Sequence, residues 1–147
     1  MLNKDYEKIL TYIFDDRLYT EEQKAVMLCS LTISIGDEQL VNGSMSKDHN
    51  RFFIDALSKA GFFIMDTYLS IAKSCNNSTK YMFKVLETLN EAQKEKYVML
   101  FLLFISDCHT RNEDTPDMHK VMELTLNGIG VDNATQKKIG FEMMKIL

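Results

Sequence analysis

The chain has 147 residues, is 46% hydrophobic and carries a formal net charge of −4, enough apolar material to bury a full core as one ordinary domain. There is no basic run, and three scattered arginines (Arg17, Arg51, Arg111) give nucleic acid no surface to hold. The apolar run from Tyr97 to Ile105 is about half the roughly 20 residues that cross a bilayer, and Met1-Leu2-Asn3-Lys4-Asp5 lacks an apolar h-region, so no membrane partner, membrane span or signal peptide is expected. Cys29, Cys75 and Cys108 are odd in number and scattered, which fits reduced thiols and a cytoplasmic protein.

Tyr6, Ile9, Leu10, Ile13 and Phe14 repeat at i, i+3, i+4, i+7 and i+8, predicting an amphipathic helix from near Asn3. Thr20-Glu21-Glu22-Gln23 has capping-box form and opens a first central helix running to about Ile35. Gly36 to Met45, with Asn42-Gly43 inside it, reads as a loop. Ser46 then caps a helix to Ala60, and Gly61 supplies a left-handed stop. A fourth helix, Phe62 to Ser74, has Met65, Tyr68, Leu69 and Ala72 on one side.

Asn76 and Asn77 form overlapping glycosylation sequons, but they read more simply as linker residues ahead of the Ser78 cap. The helix that follows carries Tyr81, Met82, Val85, Leu86 and Leu89, and a polar turn from Asn90 to Lys94 leads to a second central helix, Glu95 to Ser106. Asp107 to Asp114 is a polar loop. Thr115-Pro116-Asp117 gives a cap, a proline at the first helical position and an acid beside it; that helix stops at Gly130, and a last one spans Ala134 to Leu147. One proline and no period-2 alternation argue against a sheet, so the expected fold class is all-α, a helical bundle forming a single domain over 1–147.

The two central helices also read alike. Val26-Met27-Leu28 to Ser34 and Val98-Met99-Leu100 to Ser106 match at Val, Met, Leu, Ile and Ser positions, and cap and glycine are equally spaced, 46 to 61 and 115 to 130. The pattern predicts duplicated units, about 3–75 and 78–147. Each holds a helix that is apolar nearly all round, so the halves are expected to pack on each other.

Chemistry is expected in the polar loops, where Asp37, Glu38 and Asp48 in the first unit and Asp107, Glu113, Asp114 and Asp117 in the second offer oxygens to a hard cation, with His109 in the second loop beside them. His49 and His119 could add nitrogen ligands. No EF-hand spacing, H-E-x-x-H or paired Cys/His motif supports this. Asp48 and Asp117 also fit a plainer role at the second helical position, where a carboxylate offsets the helix dipole by about 0.3 to 1 kcal/mol. Cys108-His109 sets a nucleophile beside a base, but sequence neighbours seldom converge on a substrate. The ten methionines are core filler, or, in Met143 and Met144 with Ile146 and Leu147, an adaptable surface for a partner helix.

Two units of amphipathic helix, apolar central helix, acidic loop and capped helix ending in glycine resemble the TerB-like family of tellurite-resistance proteins over nearly the whole chain. The resemblance implies an all-helical, duplicated fold, an association with stress and phage-defence systems, and divalent-metal binding through an Ala-Asp-Gly step after each central helix with an acid farther on. Asp107 stands at the second such step with Cys108 in place of glycine, and Asp117 is the later acid. In the first unit the order is Gly36-Asp37, the loop is longer, and Asp48 is the later acid.

The expected function is that of a non-enzymatic binding protein whose partner is another protein or a second copy of the chain, with a divalent cation as the one cofactor considered. Two alternatives are an inhibitor of the immunity or antitoxin type, and an enzyme with its site in the acidic loops.

Overall fold

The computed structural model describes residues 4–15, 17–33, 47–63, 65–110 and 116–146. Among them all regular structure is helical: α1 Lys4–Phe14, α2 Glu21–Ile33, α3 Lys47–Lys59, α4 Met65–Asn77, α5 Thr79–Leu86, α6 Glu91–Thr110, α7 Pro116–Gly128 and α8 Asn133–Ile146. No described helix is long and apolar enough to cross a membrane. The loop expected over 36–45 and the caps Ser46 and Thr115 lie outside the described residues.

The helix boundaries follow local chemistry. At α2 the Thr20 N–H donates to Gln23 Oε1 at 2.9 Å and the Gln23 N–H to Thr20 Oγ1 at 3.0 Å, closing the predicted box. The same reciprocal pair opens α6, where the Asn90 N–H donates to Gln93 Oε1 at 3.0 Å and the Gln93 N–H to Asn90 Oδ1 at 2.8 Å. That box corrects the expected polar turn: α6 starts at Glu91, because an asparagine caps as well as a threonine. Ser78 caps α5 as predicted, its hydroxyl accepting from the Tyr81 N–H at 3.2 Å. Asp132 caps α8, which starts at Asn133, one residue before the expected start, and accepts from the Thr135 N–H at 2.7 Å; the side-chain and backbone hydrogen bonds from Thr135 hold its carboxyl below the ordinary aspartate range.

Helix ends are equally determined. Gly61 at φ 86° and Gly130 at φ 89° both occupy the left-handed region, as the sequence predicts. Gly61 N–H reaches Ser58 O at 3.1 Å and Phe62 N–H reaches Leu57 O at 2.9 Å, while Gly130 N–H reaches Asn127 O at 3.1 Å and Val131 N–H reaches Leu126 O at 2.9 Å. Both ends are Schellman motifs.

Two compact units emerge, one of Tyr19–Thr88 and one of Met1–Leu18 with Leu89–Leu147. In the first, α2 is covered by α3, α4 and α5; in the second, α6 is covered by α1, α7 and α8. These units divide the chain differently from the sequence spacing, since α1 precedes α2 but packs on α6, whereas α5 precedes α6 but packs on α2.

Both central helices are enclosed, as their lack of a polar face predicts. Residues 25–32 of α2 are all buried, and its Ser30 and Thr32 hydroxyls donate back to Met27 O at 2.8 Å and Cys29 O at 2.6 Å, so they cost little where they sit. In α6, Tyr97, Val98, Leu100, Phe101 and Phe104 are fully buried, with the Tyr97 and Phe101 rings edge to face at 5.9 Å. The predicted α1 stripe is buried without exception, and Lys96 Nζ from α6 sits 4.9 Å over the Tyr12 ring on α1's outer side. The α4 stripe needs correction, because Tyr68 and Cys75 form its buried line while Leu69 is exposed.

Candidate functional site

Of the acids expected to gather around a cation, the described residues include the side chains of Asp107 and Asp117, which stand on different helices. Asp107 is not in a loop: α6 continues through it to Thr110, whose hydroxyl donates to Asp107 O at 2.7 Å. The helix runs on because nothing from Ser106 to Thr110 breaks it, and burial of the Cys108 side chain favours the extra turn. Asp117 is exposed in the first turn of α7, the dipole position. Asp37, Glu38, Glu113 and Asp114 lie outside the described residues, as do the side chains of Asp48 and His49. Among the described residues, no three His, Cys, Asp or Glu side chains come together as a metal site.

Cys108 and His109 point to different sides of α6, the thiol fully buried and the imidazole exposed, as neighbours on a helix must. All three cysteines are free and buried. Cys29 of α2 and Cys75 of α4 share a hydrogen bond that, with burial, pushes the Cys29 thiol up. The same bond lowers Cys75. Burial and then the two sulfurs push the Tyr68 phenol up as well. With relative exposures of 2% and 4%, the thiols sit in packing and not in a cleft that admits a substrate.

A hollow of about 530 Å³ opens to solvent in the unit built on α6, within the roughly 300 to 1,000 Å³ common for ligand pockets. One wall is a face of α6, where Leu102, Ile105, Ser106 and His109 recur at i, i+3, i+4 and i+7. The opposing wall uses the same spacing on α8, with Lys137, Gly140, Phe141 and Met144, and Met143 beside them. His119 of α7 completes the lining. Apolar atoms make up nearly all of the exposed lining, and among the described residues its polar members are Ser106, His109, His119 and Lys137.

Gly140 lies mid-helix in α8. A Cβ there would meet Leu102 Cδ1 at 3.6 Å, an ordinary contact, so neither backbone nor packing requires a glycine. Glycine inside a helix costs about 0.5 to 1 kcal/mol relative to alanine, and its local effect is to keep this wall low. Of these residues the sequence had drawn attention to Met143, Met144, His109 and His119; Lys137, Gly140 and Phe141 were missed. Their signal was a glycine inside an otherwise regular i, i+3, i+4, i+7 stripe. Comparison of the chain with family models, curated proteins and solved structures finds no match.

Proposed function

We propose that this chain is a non-enzymatic helical binding protein that takes the apolar part of its ligand into the hollow between α6, α7 and α8. The observation that carries the reading is the hollow's apolar wall left open to water: Phe141 and Met144 are each 68% exposed although they border a concave surface. Large apolar side chains gathered at a concavity mark binding sites, whereas scattered ones do not. Binding is favoured over catalysis by the character of the lining. Ser106 and His109 stand one turn apart, but N–H groups inside a helix are committed to the helix and cannot serve an oxyanion.

The test uses Nile red, a neutral dye that brightens in apolar surroundings. The native protein should bind it, and Gly140→Leu, which fills the hollow from α8, should abolish binding while melting cooperatively. Gly140→Ala should raise stability by about 0.5 to 1 kcal/mol. No dye binding, or equal binding by Gly140→Leu, refutes the reading.

A further inference from the structure

We infer that Cys29 and Cys75 form a modification site: a dithiol that a hydroperoxide converts into a disulfide tying α2 to α4. The pair lies in the unit of Tyr19–Thr88 and takes no part in the binding proposed for the hollow.

Contact comes first. The two cysteines stand 46 residues apart in the chain (75 − 29), and the packing of α2 on α4 brings their thiols into a hydrogen bond with each other. Both are unbridged. Sulfurs already in hydrogen-bond contact have only the last part of the approach to the roughly 2.05 Å of a disulfide left to make.

Access comes second. Cys75 is 4% exposed in the last turn of α4, and Lys73, Ser74, Asn76 and Asn77 around it are all exposed, so its sulfur lies one layer below water. The end of a helix opens at the lowest cost, and hydrogen peroxide, scarcely larger than water, needs no cleft. Cys108 on α6 is fully enclosed.

The two sulfurs have unequal parts. The hydrogen bond from Cys29 favours the Cys75 thiolate and holds Cys75 below the ordinary thiol range, against burial and the Glu22 charge; the same bond and burial push Cys29 up. Cys75 is therefore the attacking sulfur. Its thiolate forms an S–O bond with one peroxide oxygen as the O–O bond breaks, the departing hydroxide takes the proton that Cys75 gave up, and a sulfenic acid and one water result. Cys29 then attacks the Cys75 sulfur. The S–S bond forms, the S–O bond breaks, and hydroxide leaves with the Cys29 proton as a second water. Two thiols are oxidised by two electrons to one disulfide, and one peroxide is reduced to two waters.

The experiment treats the full reduced chain with hydrogen peroxide under native conditions, alkylates the remaining thiols in denaturant and maps the products by peptide mass spectrometry. Cys29 and Cys75 should be lost to alkylation one for one and appear in one bridged peptide pair that dithiothreitol separates, while Cys108 is still alkylated. The bridged chain should melt above the reduced one, because the bridge restricts the unfolded chain and leaves the packed helices in place. Peroxide treatment in urea distinguishes native contact from chance, since the unfolded chain should favour its shortest loop, Cys75 to Cys108 at 33 residues (108 − 75). Cys29→Ala should stop at a Cys75 sulfenic acid that dimedone captures. Three alkylated thiols after native treatment, a native bridge that includes Cys108 or joins two chains, or a Cys29–Cys75 bridge that melts below the reduced chain overturns the site. Dimedone on Cys29 in Cys75→Ala, with none on Cys75 in Cys29→Ala, overturns the order of attack.

Discussion

Measured from the glycine that ends the preceding helix, α4 and α8 carry contrasting side chains at the same distances. Seven, ten, eleven and fourteen residues after Gly61 stand Tyr68, Ile71, Ala72 and Cys75; at the same distances after Gly130 stand Lys137, Gly140, Phe141 and Met144. In α4 that face is closed. Tyr68 packs its ring 5.9 Å from Phe62, the buried Cys75 thiol is hydrogen-bonded to Cys29, and Ile71 and Ala72 are half-buried. In α8 the face borders a hollow, with Lys137 in place of the tyrosine, Gly140 in place of the isoleucine, and Phe141 and Met144 largely exposed. The buried lines run one residue out of step: α4 buries Tyr68 and Cys75, 7 and 14 residues after its glycine, whereas α8 buries Gln136, Ile139 and Met143, 6, 9 and 13 after its own, so the positions that close α4 fall at the edge of the packed face of α8 and border the hollow.

The comparison is easiest to break at the central helices, where the two units should respond alike. Leu31 in α2 is fully buried and Leu103 in α6 is 3% exposed, so each leucine-to-alanine change should lose burial and leave a cavity, costing about 2 to 5 kcal/mol. Urea denaturation of Leu31→Ala and Leu103→Ala would measure both. If one variant unfolds at the parental midpoint, its helix is not the core of its unit, and the likeness ends at the caps.

The two stops come next. A side chain at φ 86° or 89° strains the backbone by about 1 to 2 kcal/mol, and the strain is unrelieved because only glycine avoids it. Space is not the issue: a Cβ at Gly61 would meet Lys24 Nζ at 3.8 Å, and one at Gly130 would meet nothing within 4 Å. Gly61→Ala and Gly130→Ala should therefore lose similar stability in the same denaturation assay. A marked difference would trace to the side chains that tie each stop: Lys24 Nζ donates to Ala60 O at 2.6 Å and lies 5.6 Å over the Phe62 ring at one, and Gln136 Nε2 donates to Val131 O at 3.1 Å at the other.

Much of this arrangement was legible in the residues. The α1 stripe, the Thr20 box, the Ser78 cap and both glycine stops are local devices whose partners lie within a few positions, so short-range chemistry suffices to find them. What escaped was either an unfamiliar spelling of a known device, as in Asn90 and Gln93, or a property of packing. The shared spelling itself was read in a register that the helix starts do not share: the capping residues are 70 apart (20 to 90), the apolar stretches 72 (26 to 98). Two residues rotate a helix by about 200°, so the two matches cannot both align equivalent faces. Nothing local tells α1 to pack on α6, because tertiary partners are chosen by surfaces far apart in the chain. The hollow was hidden for the same reason, as Leu102 and Gly140 meet only once α6 and α8 are packed. Asp107 was placed in a loop on polarity alone, although a polar end of a helix with one buried side reads the same way.

The smallest expected effect concerns how each unit holds the helix that precedes the other unit's central helix. On α6, Lys96 over Tyr12 meets α1; on α2, Glu22 accepts a hydrogen bond from the Tyr81 hydroxyl of α5 at 2.7 Å. Partial burial, followed by that bond and the Glu22 charge, pushes the Tyr81 phenol up to about 12. The folded state thus favours the protonated phenol, and its contribution to stability is fully present below the unfolded tyrosine value and is lost as pH rises through about 12. At α6 the second helical residue is Ala92, so Glu22→Ala makes the two helix starts alike. Ultraviolet titration should then show one tyrosine ionising at lower pH than in the parent, with only a slight loss of stability at neutral pH because the pair is open to water. A tyrosine titration unchanged by Glu22→Ala would mean that α5 is held to α2 by Met82, Val85 and Leu86 alone, and the polar tie would drop out of the comparison.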